Sequence, residues 1–223
     1  MAQLAFSQAG NVSSRNYLDF QNKPYYFGIY LGLNNSKFNV FKSERFILND
    51  TISIAEGGSS IGANINLIGN LKIGKYFDFR FIPGFSFSAR NIFFTRLDQP
   101  DNPLPDNITS VFVEMPFQIR YKSEPYKDMR LFFLAGMKYS YDLNSNARSV
   151  RNVQNLLRIS PHDFSVEIGA GIQLFFPFFI FSPEIKITRG LGNMLIFNPG
   201  LEKSNVLEKV LNHSITIGFS LEG

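Results

Sequence analysis

Histidine, acid and serine side chains are the groups best suited to chemistry in this 223-residue chain, which has two histidines and no cysteine. His162 is followed by Asp163, and Ser140 and Ser160 are the serines that folding would have to bring near them. A histidine, an acid and a serine are the constituents of a hydrolase or acyltransferase site. The second histidine, His213, belongs to no metal-ligand spacing, and no nucleotide-binding or nucleophile-elbow motif is present. We therefore expect no catalytic, cofactor or metal site, with an acyltransferase-like enzyme as the alternative.

Other ionisable residues alternate with apolar ones in several segments of the chain. In residues 76–95 (YFDFRFIPGFSFSARNIFFT), every second position from Phe77 to Phe87 is phenylalanine, except for Pro83. The positions between them are mostly polar, small or charged, as at Asp78 and Arg80. A period of two places successive side chains on opposite faces of a β-strand. This segment therefore predicts a long strand with one aromatic face and one polar face.

The same alternation predicts eight strands in all. They cover residues 24–34, 59–73, 76–95, 108–121, 129–142, 163–176, 179–188 and 214–221. Their connections alternate between long and short, and the Pro- and Asp-rich stretch 96–107 is predicted to be an irregular loop. An even number of strands with alternately short turns and long loops is typical of outer-membrane β-barrels. Pro83, Pro116 and Pro183 fall inside strands, and we assign them to bulges because proline cannot donate to a β-ladder.

Two architectures satisfy this alternation, and they differ in which face points inward. A membrane barrel turns its apolar face to lipid, whereas a soluble cup of the lipocalin type turns that face inward. Composition favours the membrane barrel, because the chain has 25 Phe and only 18% charged residues. No apolar run is long enough for a transmembrane helix, so the chain can span a membrane only as a closed barrel. We predict an all-β, eight-stranded antiparallel up-and-down transmembrane β-barrel with short periplasmic turns and long extracellular loops.

Charged side chains on the predicted inner face are expected to form ion pairs. An eight-stranded barrel is just wide enough for its own side chains, and unpaired buried charge is very costly. The predicted interior ion network consists of Arg80, Glu114, Arg120, Arg130, Lys138, Glu167, Glu184 and Lys186. We interpret this network as a structural seal, and the alternative is a small channel with a polar path. The net charge of +4 comes from basic residues that are scattered along the chain and balanced by 18 acids, which argues against a nucleic-acid partner.

The chain is predicted to have three parts. Residues 1–9 (MAQLAFSQA) end in the small-x-small pattern that precedes signal cleavage, and we interpret them as a signal-peptide remnant. Residues 10–23 are polar and without period, and are predicted to be a flexible periplasmic segment. Residues 24–223 are predicted to form the barrel. This arrangement places the protein in the outer membrane with both termini on the periplasmic side.

Four segments resemble the PorT-like outer-membrane β-barrels of the Bacteroidota. They are RFIPGFSFS, FVEMPFQIRYKS, LAGMKYSYDLNS and SVEIGAGIQLFFPFFIFSPEIKITRGLGNML. The resemblance runs from about residue 24 to the C-terminus. It implies a component of the type IX protein secretion system that supports export of cargo with C-terminal sorting domains and, in gliding species, delivery of surface adhesins. It also implies other type IX components as partners and supplies no catalytic residues.

Two long connections contain short helix-like patches, at residues 152–159 (NVQNLLRI) and 205–212 (NVLEKVLN). The first patch is basic and partly apolar, and its candidate docking residues are Arg148, Arg151, Arg158, Leu156 and Leu157. Such a surface either caps the barrel mouth or docks onto another secretion component or the phosphates of lipopolysaccharide. No small-molecule substrate is indicated.

Overall fold

The computed structural model describes residues 16, 18, 20, 22–43, 52–96, 99–144, 159–197 and 207–223. Within them lie the strands β1 (Tyr25–Lys42), β2 (Ile52–Ile73), β3 (Phe77–Phe81), β4 (Gly84–Arg96), β5 (Gln99–Lys122), β6 (Met129–Asp142), β7 (His162–Phe175), β8 (Ile180–Gly190) and β9 (Leu207–Glu222). Neighbouring strands are antiparallel, and β1 pairs with both β2 and β9, which closes the ring. Because β3 and β4 both lie between β2 and β5, these strands occupy eight positions. The predicted eight-stranded up-and-down barrel is confirmed.

The aromatic face of the predicted strands points outward. Phe85 and Phe117 are close to half exposed on the outer surface, whereas Asp78, Arg80 and Arg120 have no exposed side-chain surface. The polar face therefore lines the interior, and the lipocalin-type alternative is wrong for this chain. In the described part of the chain, no helix is long and apolar enough to cross a membrane.

The third position of the ring is one strand interrupted at two residues. Phe81 at the end of β3 is opposite Phe117, and Gly84 at the start of β4 is opposite Glu114. Two residues separate these pairs on both strands, so neither strand contains an inserted residue. The prediction of a bulge at Pro83 is therefore wrong.

Missing proline donors explain the interruption. The backbone N–H of Ile82 donates to the carbonyl of Pro116 at 3.1 Å, but Pro116 has no N–H to donate in return. On the other side, the N–H of Leu67 donates to the carbonyl of Pro83 at 2.8 Å, again without a reciprocal bond. The register of β8 against β9 is also unbroken at Pro183. The predicted bulges at Pro116 and Pro183 are also wrong, because the strands contain no inserted residue at either proline.

Several segments outside the predicted strand bounds are strands, including residues 35–42 of β1 and 52–58 of β2. β4 and β5 continue into residues 96–107, where Phe94 is opposite Leu104 in the register. This part of β5 lies beyond its pairing with β6, which begins at Phe112, and prolines are tolerated on such an edge. The helix-like stretch 205–212 belongs to β9 from Leu207 onward, because it pairs with β1.

The barrel has two different ends. The short-turn end carries the turns at residues 74–76, 123–128 and 176–179, and Gly74 has the positive φ of 75° that such a turn requires. At the opposite, long-loop end, the N–H of Ser160 donates to the carbonyl of Met194, whose own N–H donates to the carbonyl of Val210. Ile159, Met194 and Val210 are buried. Described parts of two connections therefore pack against the long-loop end.

Candidate functional site: the barrel interior and its ends

The half of the interior near the short-turn end is crossed by a chain of ion pairs. Arg80 Nη1 lies 3.0 Å from Glu184 Oε2, and Arg80 Nη2 lies 2.9 Å from Glu222 Oε1. Glu222 Oε2 is in turn 3.3 Å from Nη2 of Arg120, which lies 2.9 Å from Asp78 Oδ2. All five side chains are completely buried. Four different strands thus meet in one ionic cluster, with Glu222 joining the two arginines.

Polar neighbours complete the bonding of this cluster. Arg120 donates to the hydroxyl of Tyr26, and that hydroxyl donates to Asp78 Oδ2 at 3.2 Å. Lys122 donates to the other oxygen of Asp78, and Arg120 also donates to Asn70 Oδ1 at 3.2 Å. Buried charges need this number of partners because an unpaired charge is very costly away from bulk water.

A second cluster lies closer to the long-loop end. Lys138 Nζ lies 2.9 Å from Glu114 Oε1 and 3.5 Å from Glu167 Oε1. Glu167 also accepts hydrogen bonds from Gln118 at 2.8 Å and from Thr188 at 3.1 Å. Every one of these five side chains is buried.

Lys186 and Tyr30 fill the space between the two clusters. Lys186 Nζ is 3.2 Å from Glu184 Oε1 and 3.9 Å from the centre of the Tyr30 ring. The Tyr30 hydroxyl fits over Gly218, which is opposite Gly32 in the register, because a Cβ atom at Gly218 would lie only 2.4 Å from that hydroxyl. The cation–π contact and the ion pair together hold the ammonium group in the middle of the barrel.

Seven of the eight predicted network residues form ion pairs in this interior, namely Arg80, Glu114, Arg120, Lys138, Glu167, Glu184 and Lys186. The eighth, Arg130, is buried at the short-turn end and lines a cavity there. Glu222 and Lys122 also belong to this network, although neither was predicted as a member. Both continue the inward period by two residues, after Ser220 and Arg120, so extending the alternation to the strand ends would have found them.

Residues 6–195 match a family model described as "Outer membrane protein beta-barrel domain". The chain belongs to this family. The predicted outer-membrane localisation is thereby confirmed. No curated protein matches the chain.

The chain is also similar to solved structures at low identity. Neisserial surface protein A is 9% identical, with 87% of this chain and 96% of that chain covered and a TM-score of 0.41. OprG from Pseudomonas aeruginosa is 11% identical, with 88% and 96% covered and a TM-score of 0.47. Ail of Yersinia pestis, solved with the heparin analogue sucrose octasulfate, is 13% identical, with 90% and 100% covered and a TM-score of 0.38.

In this outer-membrane barrel, the candidate histidine–acid–serine group is not assembled. His162 is exposed, and its Nδ1 lies 2.7 Å from the Tyr139 hydroxyl. Asp163 is buried in the interior, where it accepts a hydrogen bond from Asn212 at 2.8 Å. Adjacent strand residues point to opposite faces, which separates the imidazole from the carboxylate.

The two candidate serines do not complete a site either. Ser140 is buried, and its Cα is paired with that of Asp163. Ser160 Oγ forms hydrogen bonds with the backbone N–H and carbonyl of His162, each at 3.3 Å. His213 is opposite Lys37 and Arg189 in the register. Among the residues that the structure describes, no three histidine or acid side chains are grouped as metal ligands.

The candidate docking residues Arg148, Arg151, Leu156, Leu157 and Arg158 lie outside the described residues. The signal-peptide interpretation of residues 1–9 falls outside them as well. Both hypotheses stay predictions.

Proposed function

We propose that this outer-membrane barrel is a non-catalytic component of the type IX protein secretion system. In this role it supports export of cargo with C-terminal sorting domains and, in a gliding species, delivery of surface adhesins. The proposal is supported by the resemblance to the PorT-like barrels over nearly the whole barrel.

The observation that carries the proposal is the filled interior. Arg80 and Arg120 have no exposed side-chain surface, and their ion pairs extend across the lumen. A barrel of eight strands has room only for side chains, and seven of the predicted inner charges form ion pairs here. A cargo polypeptide therefore has no route through this barrel, and a contribution to export has to come from its outer surface, turns and loops.

The segments that resemble the PorT-like barrels also supply much of the interior network. FVEMPFQIRYKS contributes Glu114, Arg120 and Lys122, and FSPEIKITRGLGN contributes Glu184 and Lys186. A barrel with the same inner residues would seal itself in the same way. The resemblance of these segments implies a similar interior in the PorT-like barrels, which supports a role as an accessory part rather than as the conduit.

The proposed orientation places the short-turn end and both termini in the periplasm and the long-loop end outside the cell. In that orientation the outward Phe side chains contact lipid acyl chains, and lipopolysaccharide surrounds the long-loop end. Other type IX components are the proposed partners, and they would bind the turns or loops. Nucleic acid is not a proposed partner.

The decisive experiment is a deletion of this chain in its native bacterium, complemented by the wild-type chain. Sorting-domain cargo should then accumulate in the periplasm, and the tagged protein should co-purify with other envelope secretion components after mild cross-linking. Normal cargo export in the deletion strain would overturn the proposal. Altered lipid A acylation, measured by mass spectrometry in the same strain, would support the acyltransferase alternative instead.

A further inference from the structure

Three basic side chains lie next to one another on the outer surface of the barrel. Lys37 of β1 is opposite His213 of β9, and His213 is in turn opposite Arg189 of β8. Lys37 and Arg189 are exposed and His213 is partly exposed, whereas the adjacent residues of the same strands are buried in the interior. Neighbouring strands are about 4.8 Å apart, so the three Cα atoms span only about 10 Å. We call these three residues the outer basic row.

The outer basic row has no acidic partner in the part of the chain that the structure describes. None of its three side chains forms an ion pair or a hydrogen bond with another described residue. The acids Glu184 of β8 and Glu222 of β9 are buried in the interior, on the other face of the sheet. Glu208, an exposed acid of β9, lies five residues from His213 along the strand. The charge of the row is therefore available to a ligand outside the barrel.

The arrangement of the row is electrostatically unfavourable without an anion. Like charges directly opposite each other destabilise a sheet, and both Lys37 and Arg189 interact electrostatically with His213. One anion in front of His213 can contact both flanking side chains, because lysine and arginine are long and end in several donors. A phosphate group suits this position, since the planar donors of a guanidinium match two phosphate oxygens.

The apolar outer surface of the barrel begins directly beside the outer basic row. Ile187 and Ile215 lie two residues nearer the short-turn end than Arg189 and His213, and both are exposed. Leu33 is the exposed apolar residue on the same side of the row in β1. A basic residue on the lipid-facing side of a barrel is tolerated near the membrane interface and is costly at the midplane. The row therefore lies at the level of the lipid headgroups, on the long-loop side of the apolar surface.

We propose that the outer basic row binds a phosphate group of lipopolysaccharide. Lys37 and Arg189 contact the phosphate oxygens, a ring N–H of His213 donates to the same group, and the acyl chains lie against the apolar residues beside the row. The choice of lipopolysaccharide rests on the proposed orientation, in which the long-loop end faces the outer leaflet that contains this phosphorylated lipid. The site consists of strand residues and does not involve the candidate docking residues of the loop. It does not depend on the proposed role in secretion.

Native mass spectrometry of the folded barrel in an uncharged detergent tests the proposal, with purified bisphosphorylated lipid A as the probe. Lipid A should bind saturably, and lipid A without its phosphates should bind at least about tenfold more weakly. Lys37→Gln and Arg189→Gln should each weaken lipid A binding about tenfold, the loss expected for one charge-assisted contact. Arg189→Lys should weaken it less than Arg189→Gln, because the charge is kept. The matched control is Lys127→Gln, which removes one exposed charge in the turn at residues 123–128 and should bind like the wild type.

Heat-modifiable gel migration verifies that each variant is folded, and either single variant suffices if the other does not fold. Weaker binding by Lys37→Gln or Arg189→Gln, but not by Lys127→Gln, supports the site. Equal binding by the wild type and these two variants, or an equal loss in the control, overturns it. Phosphatidylglycerol or polyglutamate that binds the row as tightly as lipid A would overturn the assignment to lipopolysaccharide. Normal cargo export in the deletion strain, with lipid A binding intact, would overturn the proposed function alone.

Discussion

Arg120 and Asp78 lie directly opposite each other on β5 and β3, with Nη2 of the guanidinium 2.9 Å from Oδ2 of the carboxylate. Neither side chain is exposed. The same carboxylate accepts a hydrogen bond from Lys122, so that one acid balances two cations from one strand. Asp78 is therefore one of the acids on which two buried cations depend.

Asp78→Ala should lower the free energy of unfolding by about 3–5 kcal/mol, the range found when one partner of a buried pair is removed. Because the chain has no tryptophan, urea unfolding in lipid vesicles is best followed by gel migration of the folded form. Glu208→Ala, at an exposed position on β9, is the matched control and should change stability by less than about 0.5 kcal/mol. Equal effects of the two substitutions would show that the Asp78 cluster does not support the fold.

Glu114→Ala should destabilise the barrel less than Asp78→Ala. Lys138 loses its partner at 2.9 Å but keeps Glu167 at 3.5 Å. Replacing Glu114 by Ala and Lys138 by Met together should recover part of the loss, because apolar substitution of a whole buried pair is often nearly neutral. Recovery should be incomplete, since Glu167 then lacks Lys138. A double-mutant cycle measures the coupling, and purely additive losses would contradict it.

The wild-type barrel should not conduct ions steadily across a planar bilayer. Arg80, Arg120 and Lys186 occupy the lumen with their acid partners and leave their charged groups bound to protein. Protein-free bilayers and an open porin provide the two reference currents. Steady wild-type conductance whose ion preference changes in Glu114→Ala would replace the sealed interior with the channel alternative.

Phe79→Arg should block insertion of the barrel into lipid vesicles. Phe79 belongs to the outward aromatic face, and an arginine near the bilayer midplane costs about 2–4 kcal/mol. Phe178→Arg is the matched control, because Phe178 lies in the turn between β7 and β8 and is 90% exposed. It should insert nearly as well as the wild type. Heat-modifiable migration after refolding into vesicles gives the measurement, and equal insertion of both variants would place Phe79 outside the lipid-facing surface.

The salt bridge between two neighbouring turns should give a small pH dependence. The hydrogen bond from Lys75 at 2.8 Å, and then that from Tyr76, hold the pKa of Glu124 below its ordinary value of 4.5. The hydrogen bond to Glu124 raises the pKa of Lys75 above 10.5. Stability from a lowered carboxyl pKa is present above the unfolded value and is lost as pH falls through the folded value.

The wild type should therefore exceed Glu124→Gln in stability by a constant amount between about pH 5 and pH 9, and the difference should decrease as pH falls below the ordinary glutamate pKa of 4.5. On the alkaline side it should disappear only above the ordinary lysine pKa, since the Lys75 pKa is raised. Urea unfolding of both proteins across this range measures the difference. A difference that persists unchanged in acid would show that another group is responsible.

The strand pattern was predictable because alternation is a local property of an extended backbone. Phe79 and Arg80 differ in face simply because they are adjacent in a strand, and the same rule assigned Glu114 and Lys138 to the interior. Composition then indicated which face points outward. A chain with 25 Phe and few charged residues suits a barrel whose aromatic face contacts lipid and whose charged face lines the interior. The family match and the exposed Phe side chains agree with that direction.

The pairing of the interior ions was decided only by ring closure and strand stagger. Glu222 reaches both Arg80 and Arg120 because β9 closes against β1 and brings the last strand across a narrow lumen. The extension of β4 and β5 into residues 96–107 also depends on a partner strand, whose hydrogen bonds outweigh the local turn preference of Pro and Asp. The sequence alone determined which strand faces carry charge, because that depends on the alternation of neighbouring residues. Which charges meet depends on pairing between distant strands, so only the tertiary structure determined it.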